Sequence, residues 1–141
     1  MKIILILLAI VILISKVKSM KTLFKSREKR TEQLKQVVET SKENAGKDTD
    51  IFNLVMYVLM GLFSLLYILF YILSGVYINN FWFVIISVLL IIDTIRNYFK
   101  SCEFVIDVSK CKADSTLYLI LNFVIDISYI GYVLFTIYTN W

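Results

Sequence analysis

Residues Ile51 to Ile92 form an unbroken stretch of 42 residues without a single charge. Soluble domains do not sustain such a run. One crossing of the hydrocarbon layer takes roughly 20 apolar residues, so the stretch predicts two crossings joined by a turn. Further apolar runs lie at Ile3–Ile14 and Thr116–Ile137. Charged residues make up 18% of the chain and mean hydropathy is +0.76; soluble domains carry roughly 25% charge. The expected fold class is all-α: a polytopic integral membrane protein with four transmembrane helices and a basic cytoplasmic helical segment between the first and second. The predicted boundaries are about 2–18, 51–73, 81–99 and 116–139 for the crossings, 19–50 for the basic helix and linker, and 100–115 for a cytoplasmic loop. All fall in one membrane domain spanning residues 1–141.

The charges are segregated. Ten of the 15 basic residues lie between Ser15 and Asp50, and Arg96, Lys100, Lys110 and Lys112 cluster around the third segment's end and the loop that follows. The turn predicted at Ser74–Asn80 has none, and neither does the C-terminus; Lys2 is the remaining one. Short loops rich in Lys and Arg stay on the cytoplasmic side. The expected location is therefore a cell membrane, multi-pass, with the N- and C-termini and the Ser74–Asn80 turn outside. Tyr71, Tyr77, Phe81, Trp82, Tyr138 and Trp141 fall at the outer boundary so defined, where amphipathic rings are enriched.

The first crossing is the shortest. Ile3–Ile14 covers about 18 Å at 1.5 Å per residue, less than the roughly 30 Å hydrocarbon layer. Lys2, Lys16 and Lys18 can snorkel and extend it. A cleaved signal peptide has an apolar region of this length, but the basic residues that follow oppose export, and a retained, reversed anchor is the expectation. Beyond it, Lys16, Lys18, Lys21, Lys25, Arg27, Lys29 and Arg30 are the candidate contacts with anionic lipid or with a partner. The alternative is that they fix topology alone.

Along the second crossing, Asn53, Tyr57, Gly61, Ser64, Tyr67, Tyr71 and Ser74 follow at steps of three and four, which puts them on one helical face. Such a face is a seam for close helix packing or the lining of a polar path. Asp93 and Arg96, three residues apart near the inner end of the third crossing, are placed to pair. The loop 100–115 reads as an extension of the third helix past the membrane or as a bend along its surface, with Cys102 and Cys111 as free thiols. Nine residues apart on one helix, they are too far apart for a disulfide. The chain has no histidine, the usual general base near neutral pH, and two cysteines alone do not make a zinc site. No metal, cofactor, catalytic residue or nucleic-acid partner is expected.

Asp126 is the least comfortable residue in the sequence. It lies about ten residues, or roughly 15 Å, into the fourth crossing. A carboxylate at mid-membrane costs about 2.5–3.5 kcal/mol on insertion scales, and no basic residue on its helix can neutralise it. It is expected to face the protein interior, near Gly61 and Ser64, accepting hydrogen bonds from Ser64, Tyr57 and Asn122, with no cation at its level except a distant Arg96. Asp126, Asn122, Ser64 and Tyr57 form the candidate intramembrane polar site.

Two functions fit this pattern. The first is a small non-enzymatic membrane interaction protein, such as an accessory subunit, an immunity or exclusion factor or an assembly factor. It would pack through its polar seams, dock through its basic segment, and partner another membrane protein or a second copy of itself. The alternative is a pore or an ion or proton pathway using Asp126. In size and hydropathy alone the chain resembles holins; no motif carries that likeness.

Overall fold

The computed structural model describes residues 1–110 and 112–140. Among these the chain is entirely helical: α1 Lys2–Leu23, α2 Arg27–Ala45, α3 Thr49–Ile78, α4 Phe81–Ile106 and α5 Thr116–Thr139, with short 3-10 turns at Gly46–Asp48 and Val108–Lys110. Four helices, α1, α3, α4 and α5, are long and apolar enough to cross a membrane. Rows of large apolar side chains face outward along all four, as suits a multi-pass membrane protein. Cys111 and Trp141 lie outside the described residues.

Helix ends follow from local chemistry. Ser26 caps α2 by accepting from the Lys29 amide at 3.4 Å, and Ser115 caps α5 by accepting from the Tyr118 amide at 3.3 Å. Such caps satisfy amides left over at a helix start. At the end of α2, Gly46 takes a positive φ of 54°, a conformation that glycine adopts without steric cost.

The sharpest correction to the sequence reading is at the α3–α4 turn. Ser74–Asn80 is not a seven-residue turn: α3 runs on through Ile78, and two asparagines make the whole connection. Asn79 ends α3 in the left-handed region with φ 48°, its amide donating to the Gly75 carbonyl at 3.0 Å. Asn80 starts α4, its side chain accepting from the Trp82 and Phe83 amides at 3.0 and 3.4 Å. Ser74 and Gly75 are buried inside the helix pair instead. A Cβ at Gly75 would come within 3.3 Å of Ser87 Oγ, so the glycine is there for close approach.

The core is one seam at helical spacing. Leu5, Leu8, Ala9 and Ile12 of α1 meet Tyr129, Ile130, Val133 and Ile137 of α5, with Phe70 and Tyr71 of α3 and Phe83 and Leu90 of α4 closing the cluster. α1 and α5 run antiparallel, and their register can be read from polar contacts. Lys2 Nζ donates to the Asn140 carbonyl at one end, and Lys16 meets Asp126 further down. Fourteen residues separate the two positions on each helix, so the helices match over about 21 Å.

α2 lies across the opposite end of the bundle. Lys42 donates to the Ile106 carbonyl at 3.3 Å where α4 stops, and Arg27 donates to the Ala113 carbonyl at 2.9 Å just before α5. The loop 100–115 is therefore only partly helical. α4 ends at Ile106, and Asp107 then anchors the 3-10 turn by accepting from Ser109 Oγ at 2.6 Å and its amide at 3.0 Å. Those two bonds hold the Asp107 carboxyl below its ordinary pKa.

Candidate functional site

Asp126 is buried, and its partners differ from those expected. The Lys16 ammonium of α1 pairs with Oδ2, and the Tyr71 hydroxyl of α3 donates to Oδ1 at 2.9 Å. The counter-ion thus sits at the carboxylate's own level; Arg96 has no part in it. The antiparallel register of α1 and α5 accounts for this. It carries Lys16, just past the apolar run Ile3–Ile14, down to the depth of Asp126. Lys16 also lies 5.5 Å from the centre of the Tyr67 ring, where an ammonium is attracted to the π face.

The other expected partners are elsewhere. Asn122 donates to Asp93 Oδ2 at 3.2 Å rather than to Asp126. Ser64 lines the cavity that contains Asp126 but makes no hydrogen bond to it, and Tyr57 lies outside that lining. Gly61 faces the Tyr98 ring of α4, 3.7 Å from where a Cβ would sit. Tyr71, expected at the outer boundary, is buried two turns inside α3 instead.

Asp93 forms a second polar node. It accepts from Tyr118 Oη, from Asn97 Nδ2 at 3.0 Å and from Asn122 Nδ2 at 3.2 Å. Arg96 is 4.0 Å away, at the limit of a salt bridge, and more than half exposed. Its guanidinium sits over the Tyr118 ring at 5.0 Å. The Asp93–Arg96 pair is therefore the weakest of the carboxylate's contacts, because a partly exposed ion pair contributes little.

Beyond Asp126, away from α2, Tyr129 joins three helices. Tyr129 Oη bonds Ser87 Oγ at 2.7 Å and also reaches Ser74 Oγ. Its ring stacks on Phe83 at 4.5 Å and meets Tyr71 edge-on at 5.3 Å. Towards α2 the interior opens. A cavity of about 270 Å³ holds Lys16, Asn122 and Asp126 in its wall. A second, of about 560 Å³, shares Lys16, Asn97, Ser101 and Asn122 with the first and continues beneath α2. The buried ion pair thus stands in the wall of the first of two adjoining cavities.

The basic segment divides in two. Arg30 is 5% exposed. It donates to the Leu23 and Lys25 carbonyls at 3.3 and 2.7 Å, to the Asp114 carbonyl at 2.9 Å and to Thr116 Oγ1 at 3.1 Å. That one guanidinium ties the α1–α2 elbow to the start of α5. Ala113 adds to the joint by donating its amide to Thr31 Oγ1 at 3.1 Å. Lys16 and Arg27 are spent on internal contacts, and Lys25 donates to Gln33 Oε1 at 3.0 Å. Lys18, Lys21 and Lys29 remain exposed. Three of the seven expected contacts, Lys16, Arg27 and Arg30, thus also make part-buried contacts within the chain, because α1 continues helical through Leu23 and its elbow brings Arg27 and Arg30 to the α4–α5 connection.

Sequence reasoning placed Lys16 and Arg30 among the lipid or partner contacts and Tyr71 at the outer boundary, and missed the internal partners that all three have. For Lys16 a signal existed: it is the basic residue nearest to an apolar run too short to cross alone. No protein-family model, curated protein or solved structure matches the chain.

Proposed function

We propose that this chain is a small non-enzymatic membrane interaction protein: an accessory, immunity or exclusion, or assembly factor that serves another membrane protein. One observation carries the reading. Asp126, which is buried, and Asp93, which is partly buried, are both satisfied from within the chain, Asp126 by Lys16 and Tyr71 and Asp93 by Tyr118 and Asn97. A conducting site needs polar groups held ready for a passing ion, and carboxylates already paired within the chain favour the packing role instead. Exposed Lys18, Lys21 and Lys29, with the polar helix α2 across the end of the bundle, supply the face for a partner. Purified protein reconstituted into planar bilayers should leave conductance at the baseline of empty bilayers, and a crosslinker placed at Lys29 should capture one defined membrane protein. Ion currents that scale with protein would replace this reading with the pore or proton-pathway alternative.

The same proposal includes an orientation, supported by the grouping of basic residues at the α2 end: both termini and the Asn79–Asn80 turn outside, α2 inside. A cysteine at Asn79 should react with an impermeant maleimide on intact cells, whereas Cys102 should react only after permeabilisation. The opposite pattern would invert the assignment.

A further inference from the structure

The cavity of about 560 Å³ beneath α2 has the size of a small-molecule site, for which roughly 300–1,000 Å³ is usual. Its charge is unbalanced. Lys16, Arg30, Lys100 and Lys112 line it against one acid, Asp114. Lys100 is paired with Asp114, and Lys16 with Asp126 in the adjoining recess. Four cations against two carboxylates leave two positive charges, those of Arg30 and Lys112, with no carboxylate partner among the described residues. Arg30 is nine-tenths buried or more, yet its Nε is buried without any acceptor. An unpaired buried donor costs free energy, more so on a charged group, and an anion's oxygen would relieve it.

The rest of the wall is mixed: Gln33, Asn97, Ser101 and Asn122 are polar, while Leu34 and Val37 of α2, Phe104 of α4 and Leu119 of α5 supply an apolar part. α5 packs on α1, whereas it meets α4 largely through long side chains such as Tyr118 and Tyr129. The α4 and α5 backbones are therefore not closely packed. A free inorganic anion would have no use for the apolar part of the wall. A molecule with a phosphate and a hydrocarbon chain uses both that part and the two charges.

We propose that this cavity binds one anionic phospholipid, its phosphate received by Arg30 and Lys112 and its chain lying along Phe104 and Leu119. A guanidinium is the preferred partner of a phosphate, and an ammonium adds a point charge beside it. The site stands apart from the choice of protein partner and goes beyond the interaction reading.

The test uses the full chain in uncharged detergent, titrated with dioctanoyl phosphatidylglycerol, dioctanoyl phosphatidylcholine or inorganic phosphate, with bound lipid counted by native mass spectrometry. One phosphatidylglycerol should bind per chain, about tenfold or more tighter than phosphatidylcholine, the equivalent of one charge-assisted contact. Lys112→Gln should weaken it about fivefold or more. Phe104→Glu should abolish it by placing a like charge in the wall. Arg30→Gln should do the same but also loosens the elbow, so Lys112→Gln, whose side chain is exposed and carries no packing role, is the deciding variant. Lys18→Gln, Lys21→Gln and Lys29→Gln together should leave it unchanged. Equal binding of both lipids, loss with the surface lysines instead of Lys112, or competition by inorganic phosphate at lipid concentrations would each overturn the proposal.

Discussion

Lys16→Met lowers the unfolding free energy of the bundle by about 3 kcal/mol, because it strands a carboxylate among packed helices. Asp126 then keeps only the Tyr71 hydroxyl. The reverse change, Asp126→Leu, strands an ammonium instead. Its cost is smaller, about 1–2 kcal/mol, because the Lys16 side chain is 19% exposed while that of Asp126 is 3% exposed, so the lysine can turn towards the cavity and keep its charge in a wetter place. Lys16→Met with Asp126→Leu restores most of the loss, since exchanging a whole buried ion pair for well-packed apolar groups is often neutral. Unfolding in a mild detergent titrated with a denaturing one reads all three. Simple additivity, with the double variant worse than either single, would show that the two side chains do not act as a pair.

Arg30→Lys should cost nearly as much as Arg30→Gln, about 2–4 kcal/mol, at roughly 1 kcal/mol for each hydrogen bond lost and more where the donor is charged. The guanidinium fork serves four acceptors from three parts of the chain. An ammonium has three donors on one atom and cannot span them. The damage should be local, with faster proteolysis at the Phe24–Ser26 elbow and at residues 112–115. An Arg30→Lys variant as stable and protease-resistant as the parent would remove Arg30 as the clasp.

The sequence carried more of the fold than of the site. The four apolar helices were legible because each must be long and uncharged, a property of one segment alone. The fourth was legible to its ends, Thr116 and Thr139. The turn at Ser74–Asn80 was read too long because serine and glycine serve both as turn residues and as close-packing residues. Only the facing Ser87 decides which role they play. The partners of Asp126 depend on which helices are neighbours and in what register. Neither is written in any one segment, so Lys16 was counted with the basic loop and Tyr71 with the boundary aromatics. Asn122 lies one turn from Asp126 on the same helix, but α4 offers it Asp93 instead. Arg30 was read as a surface charge because its sequence neighbours are charged; burial comes from the elbow, which no periodicity announces.

The joining of the first helix to the last also sets a timetable for synthesis. Lys16 and Asp126 are 110 residues apart in the chain. At about 5–20 residues per second, Asp126 is made roughly 5–20 s after Lys16. Throughout that interval α1 has neither its counter-ion nor the α5 face that covers Leu5, Ala9 and Ile12. Until α5 is made, the Lys16 ammonium is best kept in water, since an unpaired charge is costly to bury. The α1–α5 face forms only after α5 is made, and a ribosome that stalls before α5 leaves α1 without its mate.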